Sequence, residues 1–270
     1  MIVNPYFVVR PCSNLLLLGL FIAACSGGLD AAELDEGNVR PLPDAAEVLQ
    51  QVRMRLPSTP VRVKGEVLCA NRGETWTRTY LMEAELNFAS RPVKTRYTLS
   101  DAFGSPVERL TVCFETGQRP AYRYEKGRPL VTMELPGLNR LIEGTDMAWG
   151  DLNLAFLWLG AAKSIHRDTA RGRDCVVLDI RDDTRDGVLK VWVDERLYAP
   201  LQLEDQNASG QLRRRLRVKN IKKIGDRWML KDLEVQSFPS QHRTLVRINE
   251  VEFSDVGATN TACVPLWKRS

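Results

Sequence analysis

The stretch G-T-D-M-A-W-G-D-L-N-L-A-F-L-W-L-G, residues 144–160, is the one segment of this 270-residue chain with a clear helical period. Trp149, Leu152, Phe156 and Leu159 recur at steps of three, four and three, which sets them on one face of a helix. Thr145 or Asp146 is placed to cap its start, and Gly160 stands where a helix stops. A short apolar helix in a chain of strands must pack as ordinary core against a sheet or line an apolar cavity. On the second reading Trp149, Leu152 and Phe156 are the ligand-lining residues.

The rest of the chain reads as strands with period two. Val61, Val63, Val67 and Cys69 alternate with Arg62, Lys64 and Glu66, giving one buried and one wet face. Tyr80, Met82, Ala84, Leu86 and Phe88 repeat the pattern, then Val93, Thr95, Tyr97 and Leu99, then Leu110, Val112 and Phe114. Residues 117–136 read as two short strands with turns at Gly117 and Gly127. Beyond the helix, strands are expected near 174–181, 187–194, 199–206, 211–223, 228–238 and 243–253, with His166 and His242 in loops. Gly225-Asp226 suits a two-residue hairpin turn. That turn sets Leu216 opposite Val235, Val218 opposite Leu233, Arg217 opposite Glu234 and Lys219 opposite Asp232. The facing acids make a paired, solvated sheet surface the better account of Arg213, Arg214, Arg215 and Arg217. Contact with anionic lipid headgroups is the other.

Before the strands, Asp44 caps the run D-A-A-E-V-L-Q-Q-V-R-M-R-L, with Glu47 at the capping-box position and an apolar stripe of Val48, Val52 and Leu56. Pro57 and Pro60 end it. The preceding segment S-G-G-L-D-A-A-E-L-D-E-G-N-V-R-P-L-P is small, acidic and glycine-containing, as a flexible tether would be.

The first 24 residues carry an export signal. Leu15 to Ala24 is an apolar run too short to span a bilayer and suited to a signal-peptide core, with Arg10 before it. It ends in Ile22-Ala23-Ala24-Cys25, the pattern of a bacterial lipobox, in which Cys25 is lipidated. An ordinary secretory cleavage near Ala31 or Ala32 is the alternative. The expected organisation is a signal peptide over 1–24, a tether over 25–43 after lipidated Cys25, and a single β domain over 44–270.

Export places the cysteines in an oxidising compartment. Cys12 leaves with the signal and Cys25 takes lipid, so Cys69, Cys113, Cys175 and Cys263 remain as disulfide candidates. Cys113 and Cys175 both lie opposite their strands' main apolar rows, which favours 113–175 with 69–263; free buried thiols are the alternative. No C-x-x-C pair and no His beside a Cys is present, so no zinc site or other metal is expected. The net charge of +4, with both signs interspersed, gives no nucleic-acid signature. G-x-S-x-G, H-E-x-x-H and G-x-x-x-x-G-K-[ST] are absent, and Asp182-Asp183 reads as a solvated loop. No catalytic residues and no cofactor are assigned, and the chain is read as a non-enzyme.

The G-T-D-x-x-W-G-D-L stretch is similar to one in the outer-membrane lipoprotein-sorting-like (LolA/LolB-like) family. So are V-W-V-D-E-R-L-Y-A-P-L-Q-L-E at 191–204, K-K-I-G-D-R-W-M at 222–229 and R-T-L-V-R-I-N-E-V at 243–251. Together they cover roughly residues 44–253. The resemblance implies a mainly β fold: a curved, incompletely closed antiparallel β-barrel with a few helices covering its concave face. It further implies binding of lipoprotein acyl chains or lipid, in lipoprotein sorting or lipid trafficking. The alternative within the same fold is a non-transporting sensor or module that binds an envelope protein. Either would sit in the bacterial periplasm, held to a membrane, the outer one by this reading, through Cys25.

Overall fold

Leu99, Leu110, Val112, Leu178, Val191 and Val246, drawn from five different strand runs, are fully or almost fully buried and share one hydrophobic core. The computed structural model describes residues 40–253 except 116–119, 159–160, 183–184 and 225–226, with the backbone alone for the rest of 222–230. The signal peptide, Cys25, most of the tether, Cys263 and Gly160 lie outside the described residues. Contacts divide the chain into Met1–Arg40 and Pro41–Ser270, and every described helix and strand belongs to the second unit.

That unit opens with helix α1, Ala45–Met54, capped by Asp44, whose Oδ1 accepts from the backbone N–H of Ala46 at 2.8 Å and of Glu47 at 3.1 Å. Ala45, Val48, Leu49 and Val52 form its buried face. Six strands come next: β1 Val61–Ala70, β2 Thr77–Asn87, β3 Val93–Ser100, β4 Pro106–Phe114, β5 Ala121–Lys126 and β6 Val131–Met133. After a crossover come β7 Ala161–Ala170, β8 Arg173–Arg181, β9 Val188–Asp194, β10 Pro200–Gln206, β11 Leu212–Ile224, β12 Arg227–Ser237 and β13 Arg243–Phe253. They make one antiparallel sheet in the order β6-β5-β4-β3-β2-β1-β13-β12-β11-β10-β9-β8-β7, not closed into a barrel, with β6 and β7 as its edges.

The sheet is strongly curled. Tyr122 on β5 and Asp182 beyond β8 are about ten strand places apart, roughly 48 Å if the sheet were flat. Yet Tyr122, pushed up to about 12 chiefly by burial, also feels the Asp182 carboxylate. Only a sheet wound nearly back on itself brings the two together. The inner rows of both halves then face one space, as a single core from α1 to β13 requires.

Strand β7 carries His166, so that residue is not in a loop. A-A-K-S-I-H-R-D-T-A has no alternating apolar row because β7 is an edge strand with little to bury, which is why its sequence gives no strand signal. The hairpin of β11 and β12 has the expected pairs Leu216↔Val235, Arg217↔Glu234 and Val218↔Leu233. A bulge then shifts the register, so Asn220, not Lys219, faces Asp232, and Lys219 Nζ meets Glu234 instead, at 3.0 Å. The Gly225-Asp226 turn itself lies outside the described residues.

The V-W-V-D-E-R-L-Y segment earns its pattern through Asp194. Its enclosed carboxylate accepts from the N–H groups of Arg196 at 2.9 Å and Leu197 at 2.6 Å and pairs with Arg173. Tyr198 then turns the chain with a left-handed φ of 52°. Burial works to raise the Asp194 pKa, but Arg173 and the two N–H donors outweigh it and hold the carboxyl below the usual range. A depressed folded pKa stabilises above the unfolded value of about 3.9, and that contribution is lost as pH falls through the folded value. Asp194→Asn is therefore expected to cost about 1.5–3 kcal/mol at neutral pH. The gap from wild type in thermal unfolding should shrink below pH ~4; a gap that stays constant down to pH 2 contradicts this assignment.

The cysteines depart from expectation. Cys69 and Cys175 are buried free thiols, so neither the 113–175 nor the 69–263 bridge exists. Cys113 and Cys175 do both face outward, but on the convex side of a curled sheet, nine strand places apart, and such positions diverge. Bridged Cα atoms must approach within about 7 Å. Cys175 packs with Val177, Trp192, Leu201 and Ala170 in a second, outer cluster, and burial pushes its thiol up to about 11. Cys69 Sγ lies 3.6 Å from Thr244 Oγ1. Cys113 is disulfide-bonded. Its neighbour Val112 shares a cross-strand row with Thr95, Leu86, Val61 and Phe253, so β13 ends on the row beside it, four strands or about 19 Å away. The ten residues from 254 to 263 can span about 33 Å. Non-reducing peptide mapping is expected to give one bridge, Cys113 to Cys263. Cys69 and Cys175 should become alkylatable only on unfolding; finding either of them in a bridge overturns this.

Candidate functional site

The crossover between β6 and β7 runs over the inner face of the sheet. Within it, Ile142 N–H donates to Met147 O at 2.8 Å and Leu141 bridges Ala148, so residues 141–148 form a small turn. Thr145 Oγ1 closes that turn by donating to Ile142 O at 2.9 Å. Helix α2 is only Trp149–Leu152. Leu154 takes a left-handed φ of 52°, and a separate 3-10 turn covers Ala155–Leu157. The continuous helix expected over this stretch is thus two pieces. The break re-aims the chain so that Trp149, 2% exposed, and Phe156, 3% exposed, both enter the main core, with Leu152 partly buried beside them. Packing overrides the helical period.

Trp149 meets Tyr124 of β5 edge to face, with ring centroids 6.3 Å apart, and Trp158 stacks on Phe114 of β4 at 5.0 Å. Arg53 of α1 donates to Leu157 O at 2.7 Å, tying the helix to this cover. Gly150 packs closely: its N–H donates to Leu138 O at 2.8 Å, and a Cβ there would sit 3.2 Å from that oxygen, so a side chain would push Leu138 back by a few tenths of an ångström. Thr145 and Asp146 do not cap α2; Ala148 is the N-cap residue, and Asp151 Oδ2 accepts its N–H at 2.8 Å.

Asp146 and Asp151 instead hold the cover to the sheet. Arg214 of β11, 9% exposed, donates from Nη1 to Asp151 Oδ2 at 2.8 Å and to Asp146 O at 2.9 Å. Its Nη2 reaches Asp205 Oδ2 of β10 at 3.2 Å. Burial works to lower the Arg214 pKa, yet Asp151 and Asp205 outweigh it and keep the guanidinium above its ordinary value. Asp146 Oδ2 in turn receives Thr244 Oγ1 of β13 at 3.0 Å and lies 2.6 Å from His242 Nδ1, while Asp146 N–H donates to Thr244 Oγ1 at 2.8 Å. Each buried charge has a partner. The result is a polar latch at one end of the cover. Tyr80 Oη adds a bond to Glu143 O at 2.9 Å.

The Arg213–Arg217 row splits by face. Arg213 meets Asp205 at 3.0 Å, Arg215 meets Glu204 at 2.6 Å and Arg217 donates to Gln202 at 3.0 Å, which is the paired surface expected. Arg214 does not belong to it. The sequence held the signal: Leu216 packs in the main core, Val218 two residues on is buried, and period two carries Arg214 in with them.

A family model described only as that of an uncharacterized protein matches residues 137–258, the cover and the strands after it. No curated protein matches the chain. Among solved structures, a domain described as that of an outer-membrane lipoprotein-sorting protein from Vibrio parahaemolyticus superposes with a TM-score of 0.68 at 16% identity, over 80% of this chain and 94% of that one. A DUF1329 family protein from Desulfovibrio piger gives 0.67 at 12% identity, over 80% and 93%. A LolA superfamily protein from Nitrosomonas europaea gives 0.60 at 14% identity, over 80% and 96%. With its open, curled antiparallel sheet and latched inner cover, this chain has the fold of the outer-membrane lipoprotein-sorting, LolA-type proteins.

Proposed function

We propose that this protein is an exported lipoprotein that takes the acyl chains of lipoproteins or lipids between its concave sheet and its cover. One observation carries the reading. The underside of the cover, with Trp149, Leu152 and Phe156, is apolar and continuous with the inner rows of the sheet, while its polar fastening is gathered around Arg214 and Asp146. An apolar cover fastened by a latch is built to lift. Each methylene taken from water is worth about 0.8 kcal/mol, so eight contribute roughly 6 kcal/mol, about three-quarters of what micromolar binding needs. No polar chemistry beyond burial is required, and no catalytic residue or cofactor is invoked.

The tight packing of Trp149 and Phe156 favours a second reading, a non-transporting module that binds an envelope protein and keeps its interior closed. One experiment separates them. Mass spectrometry of the protein purified gently from its native envelope is expected to show a co-purified acylated molecule. The mature N-terminus should be an acylated Cys25, as Ile22-Ala23-Ala24-Cys25 requires. Cys25→Ala should release the protein to the soluble periplasm. A ligand-free protein with a bound protein partner would establish the second reading, and an unmodified N-terminus beyond residue 25 would remove the anchor.

A further inference from the structure

The cover holds two polar side chains that its own architecture does not use. Asn153 is 1% exposed, and neither its Oδ1 nor its Nδ2 has a hydrogen-bond partner among the described residues. Five residues on, the buried Nε1 of Trp158 also lacks an acceptor among them. Enclosing a polar group unpaired is costly, and native chains keep few such groups. Nothing local demands Asn at 153. The residue ends α2 through its backbone N–H, which donates to Trp149 O, not through its amide. Its neighbours Leu152 and Leu154 pack against the core, so a leucine at 153 would suit the cover better than an orphaned amide does. Trp158 is placed by stacking on Phe114, which a phenylalanine would also do.

We propose that Asn153 and Trp158 are the polar contacts for the ester or amide group that joins an acyl chain to the rest of its molecule. Nδ2 and Nε1 supply N–H donors for carbonyl oxygens, and Oδ1 accepts from an amide N–H. This rests on the acyl-binding reading and narrows it. The ligand enters with its linkage as well as its chain, so esters and amides of fatty acids are preferred over bare hydrocarbon of the same length. A site with buried donors discriminates against an analogue that leaves them unpaired, as a purely apolar lining does not.

The test uses the delipidated protein and displacement of a fluorescent fatty-acid probe by undecane, methyl decanoate and N-methyldecanamide. Wild type is expected to bind the ester and amide about tenfold more tightly than the alkane. Asn153→Leu should bring that ratio to within about threefold while leaving alkane affinity within about twofold. Its melting temperature without ligand should equal or exceed wild type, because an unpaired amide has been removed. Trp158→Phe, which keeps the ring and loses the N–H, should reduce the preference in the same direction and serves if the first variant folds poorly. An ester-to-alkane ratio unchanged in both variants overturns this inference and leaves acyl binding standing. So does a lower melting temperature for Asn153→Leu at unchanged ratio, which would make the amide structural. Failure of every compound to displace the probe, or of the probe to bind, overturns the acyl-binding reading itself.

Discussion

Replacing Arg214 by Leu is expected to cost about 3–5 kcal/mol of folding stability, the range for breaking a buried charge network from one side. The guanidinium serves Asp151, Asp205 and the Asp146 carbonyl at once, so its loss leaves two carboxylates with side-chain exposures near a tenth facing each other. Arg214→Lys should recover only part of the loss. One ammonium cannot reproduce a planar fork aimed at three acceptors on β10 and on the cover. Arg217→Ala, three residues away on the outer face, should change stability by no more than about 0.5 kcal/mol. The contrast is read from urea unfolding of the three variants. Equal losses at 214 and 217 would mean that the latch contributes nothing. Because Arg214 bonds the cover at both Asp146 and Asp151, Arg214→Leu should also speed hydrogen exchange at residues 141–157 more than elsewhere.

Much of the sheet was legible in the sequence. Strands β8 to β10 are buried on both faces, the outer one in the second cluster, whereas alternation marked β1 to β4, which bury chiefly one face. It failed at β7, an edge strand whose exposed positions hold Lys163 and Thr169 and whose inner face gives no apolar row. Asp44 announced α1 because a cap is a local hydrogen bond, made within three residues of chain. The cover is different. Its hydrophobic spacing names which residues are buried, and Trp149 and Phe156 are; it cannot show that the chain breaks at Leu154 to bury them. Asp146 likewise looks like a helix cap until Thr244 of β13 and His242 just before it come to it, and Asp151 meets Arg214 of β11, across separations of 63 to 98 residues. Local pattern carries local chemistry. The latch is a long-range object, and only its inward arginine left a trace, through the alternation of Arg214, Leu216 and Val218.

Phe156→Ala is expected to destabilise the ligand-free protein by about 3–5 kcal/mol, since the ring is almost completely enclosed and its removal leaves a cavity the cover cannot fully close. Leu152→Ala, at a partly buried position on the same segment, should cost less. The acyl-binding reading makes a second, opposed demand on the same variant. Space vacated beneath the cover is apolar, and dry apolar cavities of this size bind apolar molecules. An acyl chain can then enter without first displacing the ring. Saturating fatty-acid probe should therefore raise the melting temperature of Phe156→Ala by more than it raises wild type, returning part of what the substitution took away. Thermal unfolding of both proteins, with and without probe, gives both quantities. A loss under about 1 kcal/mol would show that Phe156 is not packed as core. A full loss with no response to probe in either protein would leave the interior as core alone, and the protein-binding module would become the better account of this fold.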